Sequence, residues 1–299
     1  MLAKLVAKPF SRPGWVYEEK YDGYRILAYK EGKEVRLLSR NDKDRTETFA
    51  PVAAAVAKLP AKTLLLDGEV VRFDRHKVSR FQLLQSGTSE LFYAVFDCLY
   101  RDGRDLRREP LSERRKELEA AIATDKSGII FASRRLGADG LKSFELAKKK
   151  GYEGLVAKDA SSPYIPTRSS SWLKVKSHQE EEFVIAGYTA PEGARKHFGA
   201  LLLGAYENGK LQFIGKVGTG FDEKTLASLY KKFRPLVRKA SPFVNPPRER
   251  DVTYLEPKLV GEFNFQEWTN DRKLRQPVFL GLRDDKDARE VQVPGAETA

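Results

Sequence analysis

The sequence predicts an α+β protein with two domains: strands and helices over residues 1–180, and a small β-barrel over residues 181–299. The first observation is that strand-like runs alternate with helical segments up to about residue 180. The second is a change, at about residue 181, to short alternating strands with glycines at the turns. The third is size and composition: 299 residues with 41% hydrophobic side chains are enough to form two separate cores.

Composition excludes several classes of protein and of site. No run of about 18 uncharged apolar residues is present, and the opening MLAKLVAKPF is too short and too charged for a secretory signal, so we expect a cytoplasmic protein without membrane contact. Cys98 is the only cysteine, and the three histidines, His76, His178 and His197, are scattered. Intramolecular disulfides and Cys-rich zinc sites are therefore excluded.

The net charge of +12 is unevenly distributed. Residues 1–180 carry 35 basic and 25 acidic side chains, whereas residues 181–299 carry 19 and 17. A basic excess in a folded domain favours a polyanionic partner, because neutralising phosphates releases counterions.

The first domain is predicted from runs of apolar and alternating residues. Its strands are expected at 15–17, 24–29, 34–39, 63–73, 91–99, 153–158 and around 173–176. Its helices are expected at 49–59, 79–85, 112–123 and 138–150. The last of these helices ends in three lysines before Gly151, where cations and a glycine both favour termination.

The second domain is predicted to contain short strands and one helix. The strands are expected at 183–189, 199–206, 211–217, 251–255, 260–268 and 278–282, with the helix at 223–233. This pattern fits a small Greek-key barrel of the OB type, a fold that binds nucleic acid, although periodicity alone does not distinguish it from another small barrel.

The segment EEKYDGYR, residues 18–25, places Lys20 where a strand ends, just before the Asp22-Gly23 turn. A lysine attacks an electrophile only as the free amine, and at its reference pKa of about 10.4 it is almost wholly protonated at neutral pH. Burial and nearby cations lower such a pKa, so a nucleophilic lysine is expected to lie near other cations. The candidates for these cations are Arg25, Arg40, Lys174 and Lys176.

Two carboxylates lie on predicted apolar strands: Glu69 in DGEVV and Glu153 at the start of EGLVAK. Burying a carboxylate is costly unless it has a partner, so Glu69 is a candidate to contact a ribose hydroxyl or a metal ion. Glu153 and Glu69 together could bind one divalent cation. Lys174 and Lys176 are two residues apart on a strand and therefore share a face. Two cations on one face favour an anionic ligand between them, and phosphate is the obvious choice.

Seven segments occur in a fixed order along the chain: KYDGYR, SRND, LDGEV, FDCLYRDGRDL, EGLVAK, WLKVK and RQPVFLGLRDDK. In this order and at these spacings the chain resembles the ATP-dependent DNA ligases of the covalent nucleotidyltransferase superfamily, in particular the ligase module of bacterial end-joining ligases. The resemblance extends from about Lys8 to Lys286. It implies an α+β fold: a nucleotidyltransferase (adenylation) domain of ATP-grasp-like architecture, with antiparallel sheets and flanking helices, followed by a β-barrel OB-fold domain.

The resemblance also implies a reaction and its cofactors. Lys20 would attack the α-phosphate of ATP, the adenylate would pass to a 5′-phosphate at a nick, and the 3′-hydroxyl would then displace AMP. Glu69 and Glu153 would bind Mg²⁺ or Mn²⁺.

The resemblance assigns further roles by motif. Glu18 would read adenine, Phe96 would stack on it, and Arg168 would contact the nucleotide. Arg25, Arg40 and Glu69 would hold ribose and phosphates, and Lys174 with Lys176 would neutralise the α-phosphate. Pyrophosphate would be oriented on closure by Arg275, Arg283, Asp285 and Lys286.

The implied partners are nicked or broken duplex DNA and a separate DNA-end-binding protein, with the chain a monomer in a bacterial or archaeal cytosol or nucleoid. Only 19 residues precede Lys20, so we expect either a stand-alone ligase or an excised module. The lysine chemistry leaves an RNA ligase or a capping-type guanylyltransferase open. A non-catalytic DNA-binding module is a third alternative, which the intact lysines and glutamates oppose.

Overall fold

The protein is described by a computed structural model that covers residues 1–87, 90–177, 180–193, 195–269 and 271–293. The chain divides into two compact units, Met1–His178 and Gln179–Ala299. The predicted domain boundary, after residue 180, lies close in sequence to this division. None of the helices in these ranges is both long enough and apolar enough to cross a bilayer.

The first unit is built mainly from strands. In chain order they are β1 (Leu2–Leu5), β2 (Trp15–Glu19), β3 (Tyr24–Glu31), β4 (Glu34–Ser39), β5 (Thr63–Val71), β6 (Phe92–Arg101), β7 (Arg104–Asp105), β8 (Ile130–Ala132), β9 (Arg135–Gly137), β10 (Gly154–Asp159) and β11 (Arg168–Lys176). They form a five-stranded sheet in the order β1-β11-β10-β2-β9 and a six-stranded sheet in the order β4-β3-β5-β6-β7, with β8 beside β6.

The prediction of antiparallel sheets is confirmed for most strand pairs of this unit. The exceptions are β1 with β11 and β6 with β8, which pair in parallel. The sequence does not predict β1, β7, β8 or β9, because strands of two to four residues show too little alternation to be recognised.

The helices of the first unit are α1 (Ala50–Ala57), α2 (Phe81–Ser86), α3 (Leu111–Ile122) and α4 (Gly140–Lys150). Each overlaps a predicted helix. Asp139 caps α4 by accepting from the backbone N–H groups of Leu141 and Lys142, and Gly151 ends it in the left-handed conformation. Asp22 accepts from the N–H of Phe81 at 2.8 Å, which ties the start of α2 to the turn after Lys20.

The second unit contains β12 (Glu180–Thr189), β13 (Leu201–Glu207), β14 (Lys210–Val217), α5 (Glu223–Phe233), β15 (Val237–Arg238), β16 (Val252–Asn264), β17 (Glu267–Trp268), β18 (Leu274–Arg275) and β19 (Val278–Leu282). The main sheet has the order β14-β13-β12-β16-β15, and β19 also pairs with β16. Short 3₁₀ helices follow at Arg234–Leu236 and Ala288–Glu290. In the described ranges no pairing joins the two edges of this sheet, so its strands form an open sheet instead of a fully closed barrel.

One strand of the second unit is longer than predicted. The strands expected at 251–255 and 260–268 are largely one strand, β16, which pairs with β12 on both sides of a register shift. Pro257 lies in the part of β16 that the shift leaves out of the β12 pairing. Proline has no N–H to donate to a partner strand and is tolerated at such a bulge.

Candidate active site

One face of the five-stranded sheet carries a row of charged side chains. Glu18 and Lys174 both pair with Val156, and Lys158 pairs with Trp172, so these side chains share a face with Lys176. The six-stranded sheet meets this face through Phe96, whose ring lies edge-on to Trp172 at 5.7 Å between centroids. The candidate site is the cleft between these two sheets of the first unit.

Lys20 follows the last residue of β2 directly. Its backbone N–H donates to the carbonyl of Gly154 at 3.1 Å, and its ammonium forms an ion pair with the carboxylate of Glu153. The Glu153 side chain is only 7% exposed, and that of Lys20 is 19% exposed. The amine is therefore held at a fixed place but remains reachable from the cleft.

Gly154 makes this arrangement possible. Its φ is +152°, and a Cβ built there would lie 2.0 Å from the carbonyl oxygen of Val175. Only glycine allows β10 and β11 to approach this closely beside Glu153.

Arg25, on β3, is held by Asp67 of β5. The Nε and Nη2 groups of Arg25 donate to the two carboxylate oxygens of Asp67 at 3.0 and 2.6 Å. The guanidinium carbon lies 5.4 Å from the centroid of the Phe96 ring, and Arg25 pairs in register with Glu69. The structure therefore brings the predicted residues Arg25, Glu69 and Phe96 together.

Glu18 is buried in a charged network. Its carboxylate accepts from the Lys158 ammonium at 2.6 Å, from the Ser133 hydroxyl at 2.5 Å and from Arg115 at 3.3 Å. Burial lowers the pKa of Lys158, and the ion pair with Glu18 opposes this shift. The Lys158 ammonium also lies 4.7 Å from the Phe96 centroid. A ligand that binds in the cleft would contact Glu18 as a carboxylate already bonded to three side chains, and not as an isolated acceptor.

The remaining predicted cations of the first unit are more spread out. Arg40 lies in the turn after β4, one residue beyond the Ile26–Ser39 pair. Arg168 is exposed at the start of β11 and donates to the carbonyl of Ala3 at 3.3 Å. Lys174 and Lys176 are half-buried near the other end of β11.

The residues predicted to orient pyrophosphate lie in the second unit, in two different environments. Arg283 is 6% exposed and donates to both carboxylate oxygens of Asp285, at 2.9 and 3.0 Å. Lys286 lies 3.4 Å from the carboxylate of Glu182. Arg275 is exposed on β18 and pairs with Glu267 at 2.8 Å. Both arginines are therefore paired with carboxylates of their own unit, but Arg283 is buried whereas Arg275 is exposed.

Several charged residues that build the site have no role among the sequence predictions, namely Asp67, Asp97, Arg114, Arg115 and Lys158. Asp67 and Asp97 are completely buried, and Lys158 nearly so. Their signal was present, because each strand residue among them is a charge within an apolar run, the same argument that selected Glu69.

No group of three or more His, Cys, Asp or Glu side chains within the described ranges could hold a metal ion by itself. His178 lies outside those ranges. The strand-borne carboxylates Glu69 and Glu153 remain the predicted donors. They fit a hard cation that takes its other ligands from phosphate and water, as Mg²⁺ commonly does.

The two units correspond to two known sequence families. Residues 1–176 match the profile of the ATP dependent DNA ligase domain, and residues 194–286 match that of the ATP dependent DNA ligase C terminal region. The chain belongs to the ATP-dependent DNA ligase family. The family predicted from the seven segments is thereby confirmed.

Relatives of this chain include longer proteins. It is 40% identical over 301 aligned residues to the multifunctional non-homologous end joining protein LigD of Pseudomonas aeruginosa, covering 97% of this chain and 36% of the relative. It is 32% identical to a DNA ligase of Methanoculleus marisnigri, covering 92% of this chain and 52% of that one. The chain thus spans between about a third and a half of the length of these relatives.

Solved structures support the same family and fold. The mycobacterial DNA ligase D complexed with ATP and MES is 36% identical, with a TM-score of 0.69 and coverage of 97% of both chains. The ligase domain of LigD from M. tuberculosis is 38% identical, with a TM-score of 0.52 and the same coverage. The predicted fold class, a nucleotidyltransferase domain followed by an OB-fold domain, is confirmed.

Proposed function

We propose that this ligase-family chain uses ATP to seal nicks or breaks in duplex DNA through a covalent lysyl-AMP on Lys20. The observation that carries the proposal is the placement of Lys20: a strand-end amine, held by buried Glu153, at a cleft lined by cations. Phosphoryl transfer requires mainly positioning and charge neutralisation, and the cleft offers both.

Three displacements at phosphorus make up the reaction. In the first, Lys20 Nζ loses a proton and bonds to the α-phosphorus of ATP, while the bond from that phosphorus to the β-phosphate oxygen breaks and pyrophosphate leaves. In the second, a DNA 5′-phosphate oxygen attacks the same phosphorus and the lysine leaves. In the third, the DNA 3′-hydroxyl attacks the 5′-phosphorus and AMP leaves.

The site residues divide this work by position. Glu153 holds the Lys20 amine before attack, and Arg25 with Glu69 is placed beside Phe96 for the ribose and phosphates. Lys174 and Lys176 share the cleft face for the α-phosphate. Arg40 and Arg168 contact the nucleotide from the edges of the two sheets. Glu18 and Phe96 contact the adenine.

In the segment of residues 275–286, the side chain of Arg275 is exposed and that of Lys286 is half-exposed. These two cations are therefore the ones to which we assign direct contact with pyrophosphate. Arg283 and Asp285 would then orient the segment through their mutual ion pair.

A divalent cation, Mg²⁺ or Mn²⁺, would be held by Glu69 and Glu153 together with the nucleotide phosphates. When bound, it would neutralise charge on those phosphates.

The biological setting we propose is double-strand-break repair by end joining. The name of the Pseudomonas aeruginosa relative supports this setting. A chain of this kind would be recruited by a separate DNA-end-binding protein and would act as a monomer in the cytosol or nucleoid.

The proposal is tested with a duplex containing one 5′-phosphorylated nick, incubated with ATP or GTP and a divalent cation. Sealing with ATP and not with GTP is the expected result, with matched nicks in DNA and RNA run in parallel. Preference for the RNA nick, or use of GTP, would replace this assignment with the RNA ligase or capping alternative.

A further inference from the structure

Tyr164 lies in the loop between β10 and β11, outside the segments that indicated the family. Its backbone N–H donates to the carbonyl of Arg107 at 2.8 Å, and its ring lies edge-on to Trp172 at 6.3 Å between centroids. These contacts fix the ring at the side of the cleft where Phe96 also packs.

The Tyr164 hydroxyl donates to Asp67 Oδ2 at 2.9 Å. The same oxygen accepts from Arg25 Nη2, while Oδ1 accepts from Arg25 Nε. Burial raises the pKa of the Tyr164 phenol, and the negative charge of Asp67 raises it further. The hydroxyl therefore keeps its proton at neutral pH and acts as a donor.

Asp67 has a second buried carboxylate as its neighbour across the strands. It pairs in register with Asp97, whose carboxylate is bound by Arg114 at 2.7 and 2.8 Å. Two buried carboxylates side by side must each be satisfied by their own donors. Tyr164 is the uncharged donor to Asp67, and with both Asp67 oxygens bound the carboxylate has one orientation.

That orientation fixes the Arg25 guanidinium. With two of its N–H groups bound to Asp67, the guanidinium stays beside Phe96. If Asp67 turned, Arg25 would turn with it.

We propose that Tyr164 is a positioning residue for nucleotide binding, which orients Asp67 and thereby holds Arg25 in place beside Phe96. The inference rests on the proposed function, because the ATP site assigned there includes Arg25.

The test compares Tyr164→Phe with the unaltered chain in adenylate formation, after pyrophosphate treatment has removed any bound AMP. The substitution keeps the ring and removes one hydrogen bond to a charged group. We expect the KM for ATP to rise roughly tenfold, with the maximal rate changed less than about threefold.

Tyr17→Phe is the matched control. Tyr17 is a buried tyrosine of the same unit, on the opposite face of β2 from Glu18, and its hydroxyl accepts from the N–H of Arg12 at 2.9 Å. It should lower the midpoint of thermal unfolding about as much as Tyr164→Phe and leave the KM for ATP unchanged. If Tyr164→Phe acted only through a general loss of stability, the two variants would have the same KM for ATP.

A double variant separates positioning from any direct contact. In an Arg25→Lys background, Tyr164→Phe should add no further rise in KM, because the guanidinium that it orients is gone. An additional tenfold rise in that background overturns the inference, as does an unchanged KM in the single variant of an active enzyme. An unaltered chain that forms no adenylate overturns the proposed function, and this inference with it.

Discussion

Glu19 precedes Lys20 and turns to the opposite face of β2, where its carboxylate is fully buried. The Arg134 guanidinium lies 2.7 Å from one of its oxygens. Burial nevertheless raises the pKa of Glu19 to about 7, with Arg134 opposing the shift.

This shift predicts how stability depends on pH. The folded chain holds the Glu19 proton more tightly than the unfolded chain, whose pKa is near 4.5, so this group's contribution to the unfolding free energy falls between about pH 4.5 and 7. Glu19→Gln removes the titration. We expect it to be about as stable as the unaltered chain at pH 5 and more stable at pH 8, by up to about 3 kcal/mol. Denaturant unfolding at both pH values measures this.

Glu145→Gln is the control, since the Glu145 side chain is 70% exposed on α4 and has little desolvation to lose. It should leave the pH dependence unchanged. If Glu19→Gln proved less stable at pH 8, attraction to Arg134 would outweigh burial, and the sign of this account would be wrong.

At the scale of elements, a buried ion pair anchors α3 to β6. Arg114 and Asp97 are both completely buried, and Arg114 also donates to the carbonyls of Glu109 and Ser162 at 2.7 and 2.9 Å. Removing one member of such a pair leaves the other charge uncompensated in the interior.

Arg114→Met should therefore lower the unfolding free energy by about 3–5 kcal/mol. Arg104→Met is the matched control, because Arg104 is 66% exposed and its ion pair with Glu117 is solvated. That variant should cost less than about 1 kcal/mol. Denaturant unfolding of both variants gives the two values, and equal costs would show that the Arg114–Asp97 pair is not what holds α3.

The helices and strands show which parts of the structure the sequence could predict and which it could not. The longer strands and the five α-helices of the described residues were predicted from the sequence, and Lys20 was correctly placed at the end of β2. The contact of Lys20 with Glu153 joins residues far apart in the chain, and no local pattern specifies it. The sequence predicted two strands where β16 is one, because a bulge cannot be distinguished from a strand end without its partner strand.

The whole molecule carries a net charge of +12, concentrated in residues 1–180. If this charge contacts DNA phosphates, binding must release counterions and weaken with salt. We expect the affinity for nicked duplex DNA to fall roughly 1000-fold between 50 and 200 mM salt if about six phosphates are neutralised. Fluorescence anisotropy over that range measures the slope, and an affinity independent of salt would contradict a phosphate-dominated interface.

The most direct test of the central claim is the mass of the intact protein after incubation with ATP and a divalent cation, followed by peptide mapping of any added AMP. We predict one AMP on Lys20, removed by pyrophosphate, absent in Lys20→Ala and retained in Lys116→Ala, whose lysine is 71% exposed on α3. AMP on another residue, or undiminished labelling of Lys20→Ala, would contradict the assignment of Lys20 as the nucleophile.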